Sequence, residues 1–390
     1  MKIVHLILSC FYKEGYGYQE NILPSIHKKM GYDTSIVTRY YESNVFPTHE
    51  KTSSIYSYIN SSGVDVHVLP DNNSFFTKIP LISRMVYHTK GLYRLLDTLS
   101  PDIIFCHGIF ISDYNLIIKY KDSHANVKIY VDNHSDYYNT PIKKTIFHCL
   151  YRNLYQIPLL KRLEKRTEIF WGVTPWRVNY MQEVFHLNAN KTNLLVMGGE
   201  DEKINFSNKV EIKKRIREQF GISNEDFLVV TGGKIDMTKN IHLLVEAVQK
   251  IPEIKLLIFG NIDKKVESII KDKLINNIIY AGWINSTAVY DIFLSSDLAV
   301  FPGTHSVLWE QACACGIPCV FKDWDNHMNH VDIGGNCMFL NKVNTDSIKE
   351  TLVYIKNNES IYNKMKMIAE SKAINYFSYN RIAKQAIQED

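Results

Sequence analysis

From one end of the chain to the other, short and nearly continuous apolar runs alternate with stretches in which apolar residues recur every three or four positions. The first pattern reads as buried strand and the second as amphipathic helix. In the first half, strands are expected over 2–9 (KIVHLILS), 34–39, 64–69, 102–108, 128–134, 169–174 and 193–199. Helices fall between them, for example 19–30 and 81–99. In the second half, strands are expected over 227–233, 254–260, 277–283, 297–302, 317–321 and 337–341. Their Val, Ile, Leu and Phe content is that of parallel strands covered on both faces. Strand–helix alternation throughout predicts the α/β class.

The pattern divides into two Rossmann-like, doubly wound halves. The polar stretch EDEKINFSNKVE (200–211) breaks both flanking patterns and reads as the join. The expected domains are therefore 1–205 and 206–375, with a C-terminal helix, 376–390, returning to the first. The last helical stretch, 360–387, is expected to break near Tyr376-Phe377-Ser378. Ligands of such folds bind beyond the carboxyl ends of the strands, which points to a cleft between the two sheets.

Composition adds little to this picture and removes several alternatives. The 390 residues favour two domains, and 45% hydrophobic with 22% charged residues is ordinary for a globular protein. MKIVHLILSCF has one Lys and no small-residue cleavage site, so it reads as a first strand rather than a secretion signal. No apolar run reaches the roughly 18 residues that span a bilayer. Cys313, Cys315 and Cys319 sit in ACACGIPCV, a small-residue helix running into a strand. They read as packed, reduced thiols, and the expected location is cytoplasmic.

The net charge of +4 is unevenly spread. Lys143, Lys144, Arg152, Lys161, Arg162, Lys165 and Arg166 face Glu164 alone, while Ile142, Ile146, Phe147, Leu150, Leu154, Ile157, Leu159 and Leu160 interleave them. A basic amphipathic segment over 142–166 suits an anionic membrane surface, and equally a solvated helix face. No motif accompanies the charge that would suggest nucleic acid.

Two segments carry candidate chemistry. In VVTGGKIDMTKNIHLLVEAV (229–248) a strand ends at Gly232-Gly233 and a loop presents Lys234 and Lys239 before a helix. Two cations there can neutralise a diphosphate, and Gly233 lets backbone approach a ligand. In VFPGTHSVLWEQACACGIPCVF (300–321) a strand ends at Pro302-Gly303 and a helix opens near Ser306. Ser306, Val307 and Leu308 would offer free backbone N–H groups. Glu310, one turn in, can accept hydrogen bonds from ribose hydroxyls, or simply complement the helix dipole.

These blocks resemble retaining glycosyltransferases of the GT-B fold, most closely glycosyltransferase family 4. Lys234 and Lys239 occupy the Arg and Lys slots of its G-R-x(4)-K-G loop. Glu310 and Ala312–Pro318 match the end of its P-S-x(2)-E-G-F-G-x(4)-E-A block. The resemblance covers about 226–342. The family's first Glu has no counterpart: Gly303, Thr304, His305 and Ser306 stand in that region, with His305 a candidate for the sugar contact. More weakly, KEGYGYQENILPSIHKKMGYDTSIVT (13–38) resembles the family's first glycine loop, with Gly15 and Gly17 in it. His134, in VDNHSDYYN, matches a His near the reacting centre, with His107 a second strand-end His and Asp136 a group that could orient His134.

The resemblance implies transfer of a sugar, with retention, from a nucleotide diphosphate sugar (UDP- or GDP-linked) to an acceptor hydroxyl. The acceptor implied is a glycan or lipid-linked glycan of surface polysaccharide assembly. No cofactor or metal is expected, the Asp323-Trp324-Asp325 and His327 cluster reading as a loop. A sugar-nucleotide epimerase and a non-catalytic GT-B partner subunit remain the rival readings.

Overall fold

The computed structural model describes all residues except 10–11, 16, 40–55, 71–87, 143–144, 275–276 and 390. Two compact units emerge: Met1–Leu195 with Ala383–Asp390, and Val196–Ile382. The division lies earlier than the polar stretch 200–211, because Val196 and Met197 are already buried in the second unit. The return falls at Ala383 rather than 376, inside the helix Tyr379–Ala386, after a break at Phe377–Ser378.

The first unit is built on an eight-stranded sheet: β1 (Lys2–Ile7), β2 (Asp33–Arg39), β3 (Tyr56–Ile59), β4 (Asp65–Leu69), β5 (Ile103–His107), β6 (Lys128–Asn133), β7 (Ile169–Gly172) and β8 (Thr192–Leu194). Its order is β3-β4-β2-β1-β5-β6-β7-β8, and every pairing is parallel except β3 with β4. β3 was not expected from sequence. It is a four-residue edge strand whose side chains are only partly covered, so it lacks the apolar run that marks the others. Of the helix expected at 81–99, Leu92–Leu99 is observed, and 81–87 lie outside the described residues.

The second unit has six strands, all parallel: β9 (Phe227–Ile235), β10 (Ile254–Ile262), β11 (Ile278–Tyr280), β12 (Leu298–Phe301), β13 (Cys319–Lys322) and β14 (Cys337–Leu340), in the order β11-β10-β9-β12-β13-β14. All residues of β5 and β12 are buried, as coverage on both faces requires. Each such Val, Ile or Leu contributes about 1.5–3 kcal/mol of burial. The amino ends of β9 and β12 are fixed together by buried Arg217. Its guanidinium donates to Asp297 Oδ2 at 2.7 Å and to the carbonyls of Ser223, Asp226 and Ser295, while Asp297 Oδ2 also accepts from Leu228 N.

Strand order fixes where each sheet opens at its carboxyl edge. The chain leaves β1 toward β2 and crosses to β5 on the other side; it leaves β9 toward β10 and crosses to β12. A crevice forms at such reversals, so the loops after β1, β5, β9 and β12 are the ones placed for ligands. No helix among the described residues is long and apolar enough to cross a membrane.

Candidate functional site

In the second unit the loops after β9 and β12 are joined backbone to backbone. Thr304 N donates to Thr238 O at 3.0 Å, and the Asn240 side-chain amide donates to Pro302 O at 3.0 Å. A Cβ at Gly303 would stand 2.3 Å from the backbone of Lys239, so only glycine admits this approach. Gly233, at φ +110, plays its part within the protein: a Cβ there would meet the Leu308 side chain at 2.9 Å.

This junction brings the expected cations to one crevice but gives them different surroundings. β9 runs through Ile235, so Lys234 is a strand residue, 81% exposed, its Nζ 4.0 Å from Asp236. Lys239 ends a short 3-10 turn capped by Asp236 and reaches inward. Its Nζ donates to Thr304 O at 2.7 Å and His305 O at 3.1 Å. Burial, opposed by Asp236 and assisted by Lys234, lowers its pKa to about 8. A partly desolvated ammonium beside main-chain carbonyls is suited to binding an anion strongly.

Glu310 is wholly buried in the helix Leu308–Ala314, which Val307 precedes as N-cap and Ser306 leads into. Its Oε1 accepts from His305 Nε2 at 2.7 Å and from His330 Nε2 at 2.9 Å, while Oε2 is buried with no partner. Burial works to raise the carboxyl pKa, but the two histidines bring it down to about 2. His330 Nδ1 is buried without a partner, as expected when Nε2 carries the ring proton. His305 lies edge-on to Trp309 with ring centres 5.2 Å apart. Ligand atoms of His305, Glu310 and His330 lie within 4.8 Å of one another, the one such grouping among the described residues. Both contacts to Oε1 have hydrogen-bond lengths, so two N–H donors already stabilise the charged carboxylate. His330, on a turn after β13, was missed in the sequence because nothing local marks it. Asp323 and Asp325 form no such group; Asp323 Oδ1 caps its own turn by accepting from Asn326 N at 3.2 Å.

In the first unit, His107 ends β5 and His134 follows β6. The carboxylate beside His134 is Asp132, its Oδ2 3.5 Å from Nε2, whereas Asp136 is committed to Arg177 and to the amides of Tyr138 and Asn139. Burial disfavours the His134 cation, but Asp132 raises its pKa above the ordinary value. Behind it runs a buried chain of imidazoles. His27 Nε2 lies 2.9 Å from Ala383 O and must donate to it, so His27 Nδ1 accepts from His5 Nε2 at 3.0 Å. His5 Nδ1 then accepts from His107 Nε2 at 3.0 Å, and His107 Nδ1 meets Asp132 Oδ2 at 2.7 Å. Each of the three rings thus bridges two partners, and the chain ends on the Asp132 carboxylate, which, against the effect of burial, His107 and His134 hold well below the usual carboxylate range. Gly15, at φ +80, and Gly17 lie in the loop after β1, with no atom near a Cβ at Gly15.

The comparisons with known proteins agree with this architecture. Residues 212–372 match the family described as Glycosyl transferases group 1. An uncharacterized glycosyltransferase of Methanocaldococcus jannaschii is 22% identical over 57% of this chain and 53% of its own length. The processive diacylglycerol alpha-glucosyltransferase of Acholeplasma laidlawii is 23% identical over 51% of this chain and 62% of its own length. The chain thus matches little more than half the length of these relatives. Among solved structures, Anabaena HepE in complex with UDP and glucose is 14% identical, covers 100% of this chain and 98% of that chain, and superposes with a TM-score of 0.66. The protein has the GT-B glycosyltransferase fold, and the match to the group 1 family model falls within its second unit.

Proposed function

We propose that this chain is a glycosyltransferase that moves a sugar from a nucleotide diphosphate sugar to an acceptor hydroxyl, with retention of anomeric configuration. The observation that carries this is the junction of Lys239 and Glu310 at the reversal point of the second sheet, where Gly303 holds their loops together. Lys239, with Lys234, holds the diphosphate and stabilises charge as the nucleotide leaves. Glu310 offers Oε2 to the ribose, with His305 on the sugar side of the same loop. His134, paired with Asp132, serves at the sugar. That the similar HepE is solved with UDP and glucose supports a UDP-linked donor. The reaction needs no metal, since lysine supplies the charge that a cation would.

The acceptor proposed is a lipid-linked glycan of surface polysaccharide assembly, reached from the cytoplasmic membrane face. The name of the Acholeplasma relative, a diacylglycerol glucosyltransferase, supports a lipid-borne acceptor. The test is a panel of UDP- and GDP-sugars assayed for nucleotide release with and without EDTA. One donor is expected to be turned over at an EDTA-insensitive rate, and Lys239→Ala to lose at least tenfold. An unchanged Lys239→Ala rate would sink the assignment; epimer formation without UDP release would make the chain an epimerase.

A further inference from the structure

One cluster in the second unit offers more ligand atoms than a ribose needs. His305, Glu310 and His330 bring two imidazole nitrogens and a carboxylate oxygen within 4.8 Å of one another. They come from two elements: His305 and Glu310 from the loop and helix after β12, and His330 from the short turn Asn329–Val331 after β13. That turn is fixed by buried Asn336, whose side-chain amide donates to Val331 O at 2.9 Å and whose Oδ1 accepts from Ile333 N at 2.6 Å. Behind His305, Trp309 stacks on Phe321 of β13 with ring centres 4.4 Å apart. The ligand-bearing side chains are thus positioned by packing.

The donor set selects its ion. Two imidazoles and a carboxylate suit zinc, with a fourth position left for water. Mg²⁺ and Ca²⁺ prefer oxygen alone. Glu310 is wholly buried, its only hydrogen-bond partners are the two histidines, and Oε2 has none. Zinc bonds of about 2.0–2.2 Å set tetrahedral ligand atoms roughly 3.3 Å apart. Oε1 lies 2.7 Å from His305 Nε2 and 2.9 Å from His330 Nε2, so each pair must open by about half an ångström to admit the ion. The ring protons then move from Nε2 to Nδ1. At His330 that nitrogen is buried without a partner, which disfavours the shift and makes zinc a reversible ligand rather than a fixed part of the fold. Residues 304–308 are partly exposed and give the ion its route.

We propose that His305, Glu310 and His330 form a zinc site that competes with the nucleotide. Zinc takes no part in the transfer. Held on Oε1, it neutralises the carboxylate and withdraws the anionic acceptor offered to the ribose. Zinc and nucleotide therefore lower each other's affinity by the same factor. The competition rests on the reading of Glu310 as the ribose acceptor; the metal site does not.

The full chain, freed of metal by chelation and dialysis, is titrated calorimetrically with zinc chloride and with the chlorides of Mg²⁺ and Ca²⁺. One zinc per chain is expected, bound roughly a hundredfold more tightly than either hard cation. His330→Asn, which keeps a donor to Glu310 but loses the imidazole, and His305→Gln should each weaken zinc by roughly tenfold or more. Because UDP itself chelates zinc, UDP affinity is compared with and without zinc in both the wild type and His330→Asn. The fall should be roughly tenfold larger in the wild type. Zinc-edge X-ray absorption of the unaltered chain should show two imidazoles and no sulfur, a readout that needs no variant to fold. Equal affinity for zinc and Mg²⁺, sulfur ligation, or zinc binding indifferent to both substitutions overturns the proposal. UDP binding without zinc binding fails this inference alone. Zinc bound by the expected ligands, with an equal fall in UDP affinity in both proteins, overturns the competition and with it the reading of Glu310 as the ribose acceptor.

Discussion

Lys239 combines burial with a position where an anion is expected, and the two make opposite demands on its proton. In the free protein its pKa is lowered to about 8, so the ammonium is intact at pH 7 and is lost as pH rises through 8. A bound diphosphate favours the charged form, so above pH 8 binding must take up a proton from solvent, and that cost falls on the affinity. UDP affinity is therefore expected to be flat from pH 6.5 to 7.5 and to fall by up to tenfold per unit above 8. Lys239→Arg should remove that fall, because guanidinium stays charged. Calorimetric titrations at four pH values decide it; a profile shared by the wild type and Lys239→Arg would exclude Lys239 as the titrating group. At Glu310 the expectation concerns a donor. His330→Ala leaves the buried carboxylate with His305 alone, which costs about 1–3 kcal/mol and weakens UDP binding. His330→Asn, whose amide can donate, should recover part of both, read by melting temperature and by titration. Lys239 and Glu310 were legible because each lies in a local block of strand, turn and helix. His330 and Asp132 were not, since each meets its partner through chain crossings that a single sequence does not display.

At the level of elements, the second unit's site depends on two loops from strands that are neighbours in the sheet but far apart in sequence. Gly303→Ala forces a methyl group to within 2.3 Å of the Lys239 backbone, so the loops must part. Overpacking of this kind costs about 1–3 kcal/mol. UDP affinity should fall at least tenfold even though no ligand-bearing side chain has changed, whereas Gly334→Ala, with open space around it but a positive φ, should affect stability alone. Separate titration and thermal melting of the two variants checks this. The strands themselves were readable because burial on both faces demands runs of Val, Ile and Leu. Their ends were less so: 193–199 continues apolar, yet β8 stops at Leu194 and from Val196 the chain belongs to the second unit. Gly233 illustrates the same limit: the sequence suggested only that it lets backbone approach a ligand, while the structure puts it at positive φ beside Leu308.

Across the whole molecule, the chain's last residues are tied to its first unit by hydrogen bonds, one of them from a buried histidine. Ala383 O receives His27 Nε2, Ala386 O receives Trp171 Nε1, and Ile387 O receives the Tyr130 hydroxyl. The two-unit pattern and the return of the C-terminal helix to the first unit were expected from the sequence, but the side chains that hold it were not, because His27, Tyr130 and Trp171 lie within strands and helices that read as core. Burial, opposed by the Ala383 hydrogen bond and reinforced by His107, lowers the His27 pKa to about 4, against 6.5 for the exposed group. His5 is lowered well below its ordinary value by burial and by His27 and His107. For such a base the unfolded chain binds the proton first, so stability is full above pH 6.5, declines as pH falls from 6.5 toward 4, and levels off below. A shift of this size corresponds to about 3 kcal/mol for His27. Amide hydrogen exchange followed separately in the first unit, at pH 7 and pH 4.5 after correction for intrinsic rates, should show a loss of that order, centred on β1, the helix Gln19–Lys29 and the C-terminal residues. The second unit serves as a comparison: His305 and His330 keep Glu310 charged down to about pH 2, while the half-buried His242 there is lowered in the same sense as His27. His27→Gln, which can still donate to Ala383 O but cannot gain a proton, should be less stable at pH 7 and lose its own share of the pH dependence, that of His5 remaining. If both proteins lost protection equally on acidification, the imidazole chain would not be what couples the C-terminus to pH.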